Sequence, residues 1–303
     1  MWFKLESLQI TGSFKARGAV NKLLSLSDDK RENGVISAST GNHGAAVAYG
    51  AQQLDIQCTI YVPQDTSPAK LENMNLYGAE IEHFGNDCID CEKKARDVSN
   101  KTGKTYISPY NDPYVIAGQG TIGLEMLEQF PQLDTVVVPT SGGGLSGGIA
   151  LAIKSQKPEV KIIGVSMKRG PSMYESLKLG KPVDVEELET LADCLGGSIG
   201  IDNKYTFKIA QETIDDFVLV DENKIAGAAI DVFESEPIDD THPLVGLSNI
   251  VLTPHLGAST KEAKEGISSA ICTQVRNYLL HEKLNNAVNM RLSDPVSYTH
   301  LTL

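Results

Sequence analysis

Along residues 34–220, short β-branched runs alternate with stretches whose apolar residues return every three or four positions. The runs 34–37, 56–62, 80–84, 135–138, 161–165 and 217–220 read as strands, and 45–54, 68–77, 88–98, 113–130 and 145–155 read as helices. Such alternation predicts an α/β fold, parallel sheets with helices on both faces. Ser67 followed by Pro68 marks a helix start, a cap and then proline at the first helical position. After Asp221 the style changes to a strand at 228–232, a loop, a strand at 249–252 and a long helix opened by Ser259 with Glu262 as its capping-box partner. That part is still α/β but need not belong to the same domain.

The chain has 303 residues, 41% hydrophobic and 22% charged, enough for two globular domains. Its formal charge of −12 argues against an electrostatic grip on nucleic acid or an anionic membrane and favours a small-molecule partner. No apolar run reaches the length of a membrane span, and residues 1–15 are too polar for a signal peptide, so a cytoplasmic protein is expected. Cys58, Cys88, Cys91, Cys194 and Cys272 are odd in number and form no disulfide framework. Cys88 and Cys91 fall in an amphipathic helix over 86–100 without a second Cys/His pair at zinc spacing, so no metal site is expected there.

Three constellations carry chemistry. Lys15, in Thr11-Gly-Ser-Phe-Lys-Ala-Arg-Gly18, opens a helix running to Leu26. Alone it reads as a solvated charge; as a catalyst it must be desolvated, so that a lowered pKa lets its amine form a Schiff base. Ser39, Thr40, Gly41, Asn42 and His43 follow the first strand and open the next helix, where free backbone N–H groups suit a carboxylate, although a capped turn accounts for the motif equally. His43 by itself reads as a structural hydrogen-bonder rather than a general base. Pro139-Thr-Ser-Gly-Gly-Gly-Leu-Ser-Gly-Gly148 joins a strand to a helix, and its glycines let backbone N–H groups close around a phosphate.

The last loop also matches the dinucleotide fingerprint as Gly142-x-Gly144-x-x-Gly147. The following strand, however, ends in Ser166 and Met167 where an acidic residue should hold a ribose. A second match, Gly118-x-Gly120-x-x-Gly123, follows the helix start Asn111-Asp112-Pro113 and no strand. Both matches favour a single phosphate over a dinucleotide.

Taken together, SFKARG, STGNHG and PTSGGGLSGG in this order resemble the fold type II enzymes dependent on pyridoxal 5'-phosphate (PLP), in the threonine/serine dehydratase and serine racemase branch, whose architecture is like that of the tryptophan synthase beta chain. The resemblance extends through GQGTIGLE at 118–125 and SMYESLKLGKPV, LADCLGGSIG and DNKYTF between 172 and 207. GVSMKRG at 164–170 is similar to the dehydratases linked to hydroxyectoine utilisation. The resemblance implies that Lys15 carries the cofactor as an internal aldimine and removes the substrate's α-proton, and that Asn42 hydrogen-bonds the pyridine 3'-oxygen. It further implies that Ser141, Gly142, Gly143, Gly144 and Leu145 cup the phosphate while Ser39, Thr40, Gly41 and His43 face the substrate carboxylate. A small hydroxy-amino acid would lose its β-hydroxyl to give an enamine, then a 2-oxo acid and ammonia, with the cofactor as electron sink. A homo-oligomer is compatible with the intact family member. Gly164-Val165-Ser166-Met167 stands where many members have Gly-Val-Glu-Pro with a metal-ligand glutamate, so no such metal site is expected. Thr40 stands where racemising relatives carry a serine, which favours dehydration. A Gly143→Asp substitution is expected to remove PLP binding by repelling the phosphate.

The resemblance also predicts that the dehydratase-like region, residues 1–225 with a smaller domain inserted at about 35–125, is truncated at both ends. Met1 would lie in the middle of a strand, and a glycine- and serine-rich segment near the pyridine nitrogen is absent. In its place, residues 226–292 resemble a partial Rossmann-type segment of the D-isomer-specific 2-hydroxyacid dehydrogenases, the phosphoglycerate dehydrogenase group, through GAAIDVFESEP at 227–237, HPLVGLSNIVLTPHLGAST at 242–260 and NAVNM at 286–290. By that resemblance His255 is the catalytic acid/base and Glu236 its partner carboxylate, both inert relics without an NAD-binding half. The alternatives to a lyase are therefore an NAD-dependent dehydrogenase fragment or a catalytically dead hybrid. Residues 222–229 satisfy both patterns, as a splice between two genes would, and 293–303 look like a translated transposon-end adapter.

Overall fold

The computed structural model describes residues 2–186, 188, 192–221, 228–230 and 250–252. The chain divides into two compact units, Met1–Lys224 and Ile225–Leu303.

The first unit opens with a 3-10 turn, Glu6–Leu8, and not with the expected strand. A strand exists only through hydrogen bonds to a neighbour, and residues 2–5 pair with none among the described residues, so Trp2 and Phe3 stay exposed. There follow α1 (Lys15–Leu24), α2 (Asp28–Asn33), β1 (Val35–Ala38), α3 (Asn42–Gln53), β2 (Cys58–Val62), α4 (Pro68–Leu76), β3 (Glu80–His83), α5 (Cys88–Thr102) and β4 (Thr105–Tyr106). The strands form a parallel sheet in the order β3-β2-β1-β4, with Val35 opposite both Cys58 and Thr105. β1 and β2 are almost wholly buried, as parallel strands covered on both faces must be, whereas Glu80-Ile-Glu-His83 makes a polar edge. The small residues Ala45, Ala46, Val47 and Ala48 let α3 pack against Leu23, Val35, Ile60 and Met74.

Ser67 takes the N-cap position of α4 with Pro68 after it, but its side chain makes no capping bond. α5 is capped by Asp87, which accepts from the Asp90 amide at 2.7 Å, and is closed by Gly103 at φ +78. Cys88 is exposed on this helix, whereas Cys91 is buried and donates to the Phe84 carbonyl at 3.0 Å.

The second sheet comes from α6 (Pro113–Gln129), β5 (Thr135–Pro139), α7 (Gly144–Lys154), β6 (Lys161–Met167), α8 (Ser172–Leu179), α9 (Thr206–Thr213) and β7 (Asp216–Val220). Its order is β5-β6-β7, again parallel. Val136, Val138 and Ile162 pack with Ile122, Ile149 and Ile153 of α6 and α7. The helices α1, α6 and α7 approach closely through glycines. A Cβ on Gly118 would lie 2.6 Å from the Arg17 carbonyl, one on Gly120 3.1 Å from the Gly148 carbonyl, and one on Gly123 2.8 Å from the Ile149 carbonyl. This corrects the reading of Gly118-x-Gly120-x-x-Gly123 as a phosphate-type loop: the glycines sit inside α6 and make helix packing possible. Among the described residues no helix is long and apolar enough to cross a membrane.

In the second unit the described residues are β8 (Ala228–Ile230) and β9 (Ile250–Leu252), a parallel pair with Ala228 opposite Ile250. The helix expected from Ser259, the residues Glu236 and His255, and the 293–303 tail lie outside the described residues.

Candidate active site

Two strand-to-helix junctions, one in each sheet, lie at the carboxyl ends of parallel strands, where open α/β sheets bind ligands. In the first, β1 leads through Ser39, Thr40 and Gly41 into α3. The first intrahelical bond there runs from the Ala45 amide to the Gly41 carbonyl, which leaves the amides of Asn42, His43 and Gly44 ahead of it. Asn42 is exposed, and no hydrogen bond within the described residues engages its side chain. In the second, β5 leads through 140–143 into α7. The Gly147 amide bonds the Gly143 carbonyl at 2.8 Å, so Gly144, Leu145 and Ser146 present unpaired amides, and the fully buried Ser146 hydroxyl has no partner. Gly143 itself has φ +84, the left-handed region that favours glycine, and a Cβ on it would lie 2.6 Å from the Met173 methyl. Gly143→Asp is therefore strained with or without a phosphate, and it does not isolate the effect of charge.

Lys15 heads α1, half-buried, with its Nζ donating to the Pro109 carbonyl at 2.8 Å. Burial pulls its pKa from 10.5 down to about 8, opposed by a smaller upward pull from the Cys194 thiol. His43 is buried on α3, and burial, followed by the charge of Lys15, lowers its pKa to about 3. The imidazole is thus neutral; its Nε2–H must donate to the Ile107 carbonyl 3.1 Å away, which leaves the buried Nδ1 without a partner. With Nε2 engaged by the Ile107 carbonyl, what His43 can offer a carboxylate is its backbone amide.

The sequence reading missed the segment that assembles these parts, residues 107–112. The Ile107 carbonyl accepts from Ser37 Oγ at 2.9 Å as well as from His43. Pro109 holds Lys15, and the ring of Tyr110 lies where a Cβ on Gly142 would fall, 2.5 Å from its Cγ. Asn111 Oδ1 accepts from the Tyr205 and Thr206 amides at 3.0 and 3.4 Å, and Asp112 caps α6 and pairs with Lys22 of α1 at 2.7 Å. Lys15, His43 and the glycine loop are therefore joined through one short stretch. Only its end was visible beforehand, as the helix start Asp112-Pro113. Residues 196–198 supply a second wall: Ser141 Oγ donates to the Gly196 carbonyl at 3.3 Å, Tyr110 Oη to the Ser198 carbonyl at 3.3 Å, and Ser172 Oγ to the Gly197 carbonyl at 3.1 Å.

These residues fit a phosphorylated aldehyde. A lysine amine easily deprotonated at neutral pH suits the aldehyde, and free amides at a helix N-terminus beside an orphaned hydroxyl suit the phosphate. Two parallel sheets with such a lysine between their strand ends define the class of fold type II enzymes. The comparisons place the chain in it: the model of the pyridoxal-phosphate dependent enzyme family matches residues 1–239, and the chain belongs to that family.

Among its relatives, the L-threonine ammonia-lyase of Thermotoga maritima is 42% identical over 238 residues, covering 78% of this chain and 59% of that protein. Among solved structures, threonine deaminase isoform 2 of Solanum lycopersicum is 38% identical with a TM-score of 0.68, over 72% of this chain and 63% of that one. Maize serine racemase is 37% identical with a TM-score of 0.68, over 72% and 65%. The chain spans between 45% and 70% of the length of the curated relatives it matches.

Proposed function

We propose that this protein is a PLP-dependent ammonia-lyase that removes the β-hydroxyl and the amino group from a small hydroxy-amino acid of the serine or threonine type. The observation that carries the reading is Lys15, whose buried amine is held by the same segment that underlies the glycine loop. Relatives described as threonine ammonia-lyases and threonine dehydratases support the reaction class. Thr40, in place of the serine of racemising relatives, supports elimination over racemisation.

When bound, PLP supplies the electron sink for chemistry at the α-carbon. The protein's own groups do the rest. With a pKa of about 8, Lys15 is about one-tenth neutral at pH 7, enough to act as nucleophile and as the base whose Nζ accepts the proton from the substrate's α-carbon. Asn42, otherwise unengaged, orients the 3'-oxygen. The amides of residues 141–145 and the Ser146 hydroxyl hold the phosphate. Ser39, Thr40, Gly41 and the backbone of His43 hold the carboxylate at the head of α3, where the helix dipole favours an anion. Borohydride reduction of the full chain with PLP should leave a pyridoxyl group on Lys15, and Lys15→Ala should abolish it. Absence of that adduct removes the cofactor reading; an adduct without ammonia release from L-serine or L-threonine removes the lyase reading alone.

GVSMKRG at 164–170 supports kinship with the hydroxyectoine-linked dehydratases, tested by supplying hydroxyectoine-derived amino acids as substrates. We further propose that the region after the dehydratase-like part, with its relic residues Glu236 and His255, derives from a 2-hydroxyacid dehydrogenase. The motifs at 227–237 and 242–260 and the division between Lys224 and Ile225 support this origin. The pyridoxal-phosphate family match runs to residue 239 and so overlaps the first of these motifs; we propose the junction at about residues 222–229, the stretch that satisfies both patterns. Failure to amplify one reading frame across that junction from source DNA is the expected result, and a continuous product refutes the hybrid. NADH should give no thermal protection.

A further inference from the structure

A ligand gripped at a phosphate and at an aldehyde needs its two anchor points held at a fixed span, and here both rest on consecutive residues. Pro109 accepts the hydrogen bond of Lys15 Nζ at 2.8 Å. Tyr110, one peptide unit on, seats the glycine loop: its Cγ would lie 2.5 Å from a Cβ on Gly142, and its Cα 2.9 Å from one on Gly144. A Cβ on Gly142 would run into the ring itself and one on Gly144 into the Cα and Cβ of the same residue, so the ring is in direct contact with the loop at Gly142. A trans peptide fixes neighbouring Cα atoms about 3.8 Å apart, so the relation between the two seats has little freedom. The segment cannot drift as a whole either, since the Tyr110 hydroxyl reaches the Ser198 carbonyl at 3.3 Å and Asp112 is tied to Lys22 of α1 at 2.7 Å, on the helix that Lys15 begins.

We propose that Tyr110 is a positioning residue whose ring fixes the span between the phosphate-binding loop and the amine of Lys15. This rests on the cofactor reading above. Its distinctive consequence is that Tyr110 contributes to the coupling of the two ends and not to either end alone, because linking two binding groups helps only when the site spans them correctly.

The test compares borohydride trapping on Lys15 by pyridoxal, which lacks the phosphate, with trapping by PLP, in the full chain and in Tyr110→Phe and Tyr110→Leu. In the unsubstituted chain the phosphate should accelerate trapping strongly at low aldehyde concentration. In Tyr110→Leu that acceleration should shrink about tenfold or more, while the rate with pyridoxal stays within about twofold. Tyr110→Phe, which keeps the ring and loses only the hydroxyl bond, should retain most of the acceleration. An undiminished acceleration in Tyr110→Leu overturns the proposal, as does an equal fall with both aldehydes, which would make the ring merely structural. An equal loss in Phe and Leu overturns it too, by assigning the effect to the hydroxyl. No trapping by PLP in the unsubstituted chain overturns the cofactor reading and this proposal with it.

Discussion

Lys15 should react with amine reagents as no ordinary lysine does, and the pH dependence of that reaction tests the site without any cofactor. A lysine at 10.5 is about 0.03% neutral at pH 7, and one at about 8 is about 9% neutral, roughly a 300-fold gain in reactive amine. Competitive labelling of the cofactor-free full chain across pH 6–11, read peptide by peptide in a mass spectrometer, should give Lys15 a midpoint near 8 and a plateau above pH 9. The same shift has a thermodynamic counterpart. Between pH 8 and 10.5 the unfolded chain binds a proton at Lys15 that the folded chain does not, so the contribution of Lys15 to stability rises with pH across that window. Below pH 8 the folded state carries the full cost of the charge, at most about 3 kcal/mol. Lys15→Met should therefore stabilise the protein most below pH 8 and lose that advantage as pH approaches 10.5. A labelling midpoint near 10.5, or a stability gain independent of pH, refutes the reasoning that burial sets this pKa.

Three further outcomes are expected. Ser141→Asp should weaken PLP binding at least tenfold, about 1.4 kcal/mol or more, relative to the near-isosteric Ser141→Asn, since only the first adds a negative charge beside the phosphate; equal affinities by equilibrium titration remove the loop from the site. Arg17→Met should cost about 2 kcal/mol in denaturant unfolding, because it strands Glu6 and Glu125, which the guanidinium now binds through Nε to Glu6 at 2.8 Å and Nη2 to Glu125 at 2.9 Å; part of that pair is exposed, which keeps the figure below that of a fully buried one. Gly118→Ala should destabilise by about 1–3 kcal/mol through overpacking against the Arg17 backbone, and a neutral result by thermal melting would mean that α1 and α6 can separate freely.

Much of the first unit was legible along the chain. The six strands expected over 34–220 all form, with ends shifted by at most two residues, because most of them are local runs rich in β-branched residues. The motifs stand at strand ends and helix starts for an equally local reason: glycine, serine and asparagine are what those turns tolerate. The two-residue β4 was not legible. It is defined by Thr105 and Ile107 donating to the carbonyls of Gly34 and Ile36, partners some seventy residues away. Nor were α2, α8 and α9 foreseen, since each is only 6–8 residues long, too short for periodicity to separate it from a loop.

The sequence already placed the GxGxxG of 118–123 inside a helix with no strand before it, but what its glycines do there became visible only once α1 and α7 were seen pressed against them, because a glycine needed for close packing and one needed for a turn look identical in a sequence. The same limit applies to the site. The sequence by itself proposed Lys15, Asn42 and the 141–145 loop as site residues, through the resemblance of their motifs to a known family. That Pro109 and Tyr110 join Lys15 to the glycine loop was decided by tertiary structure alone, since carbonyl direction and ring placement depend on how the chain packs and leave no trace in the spacing of residues.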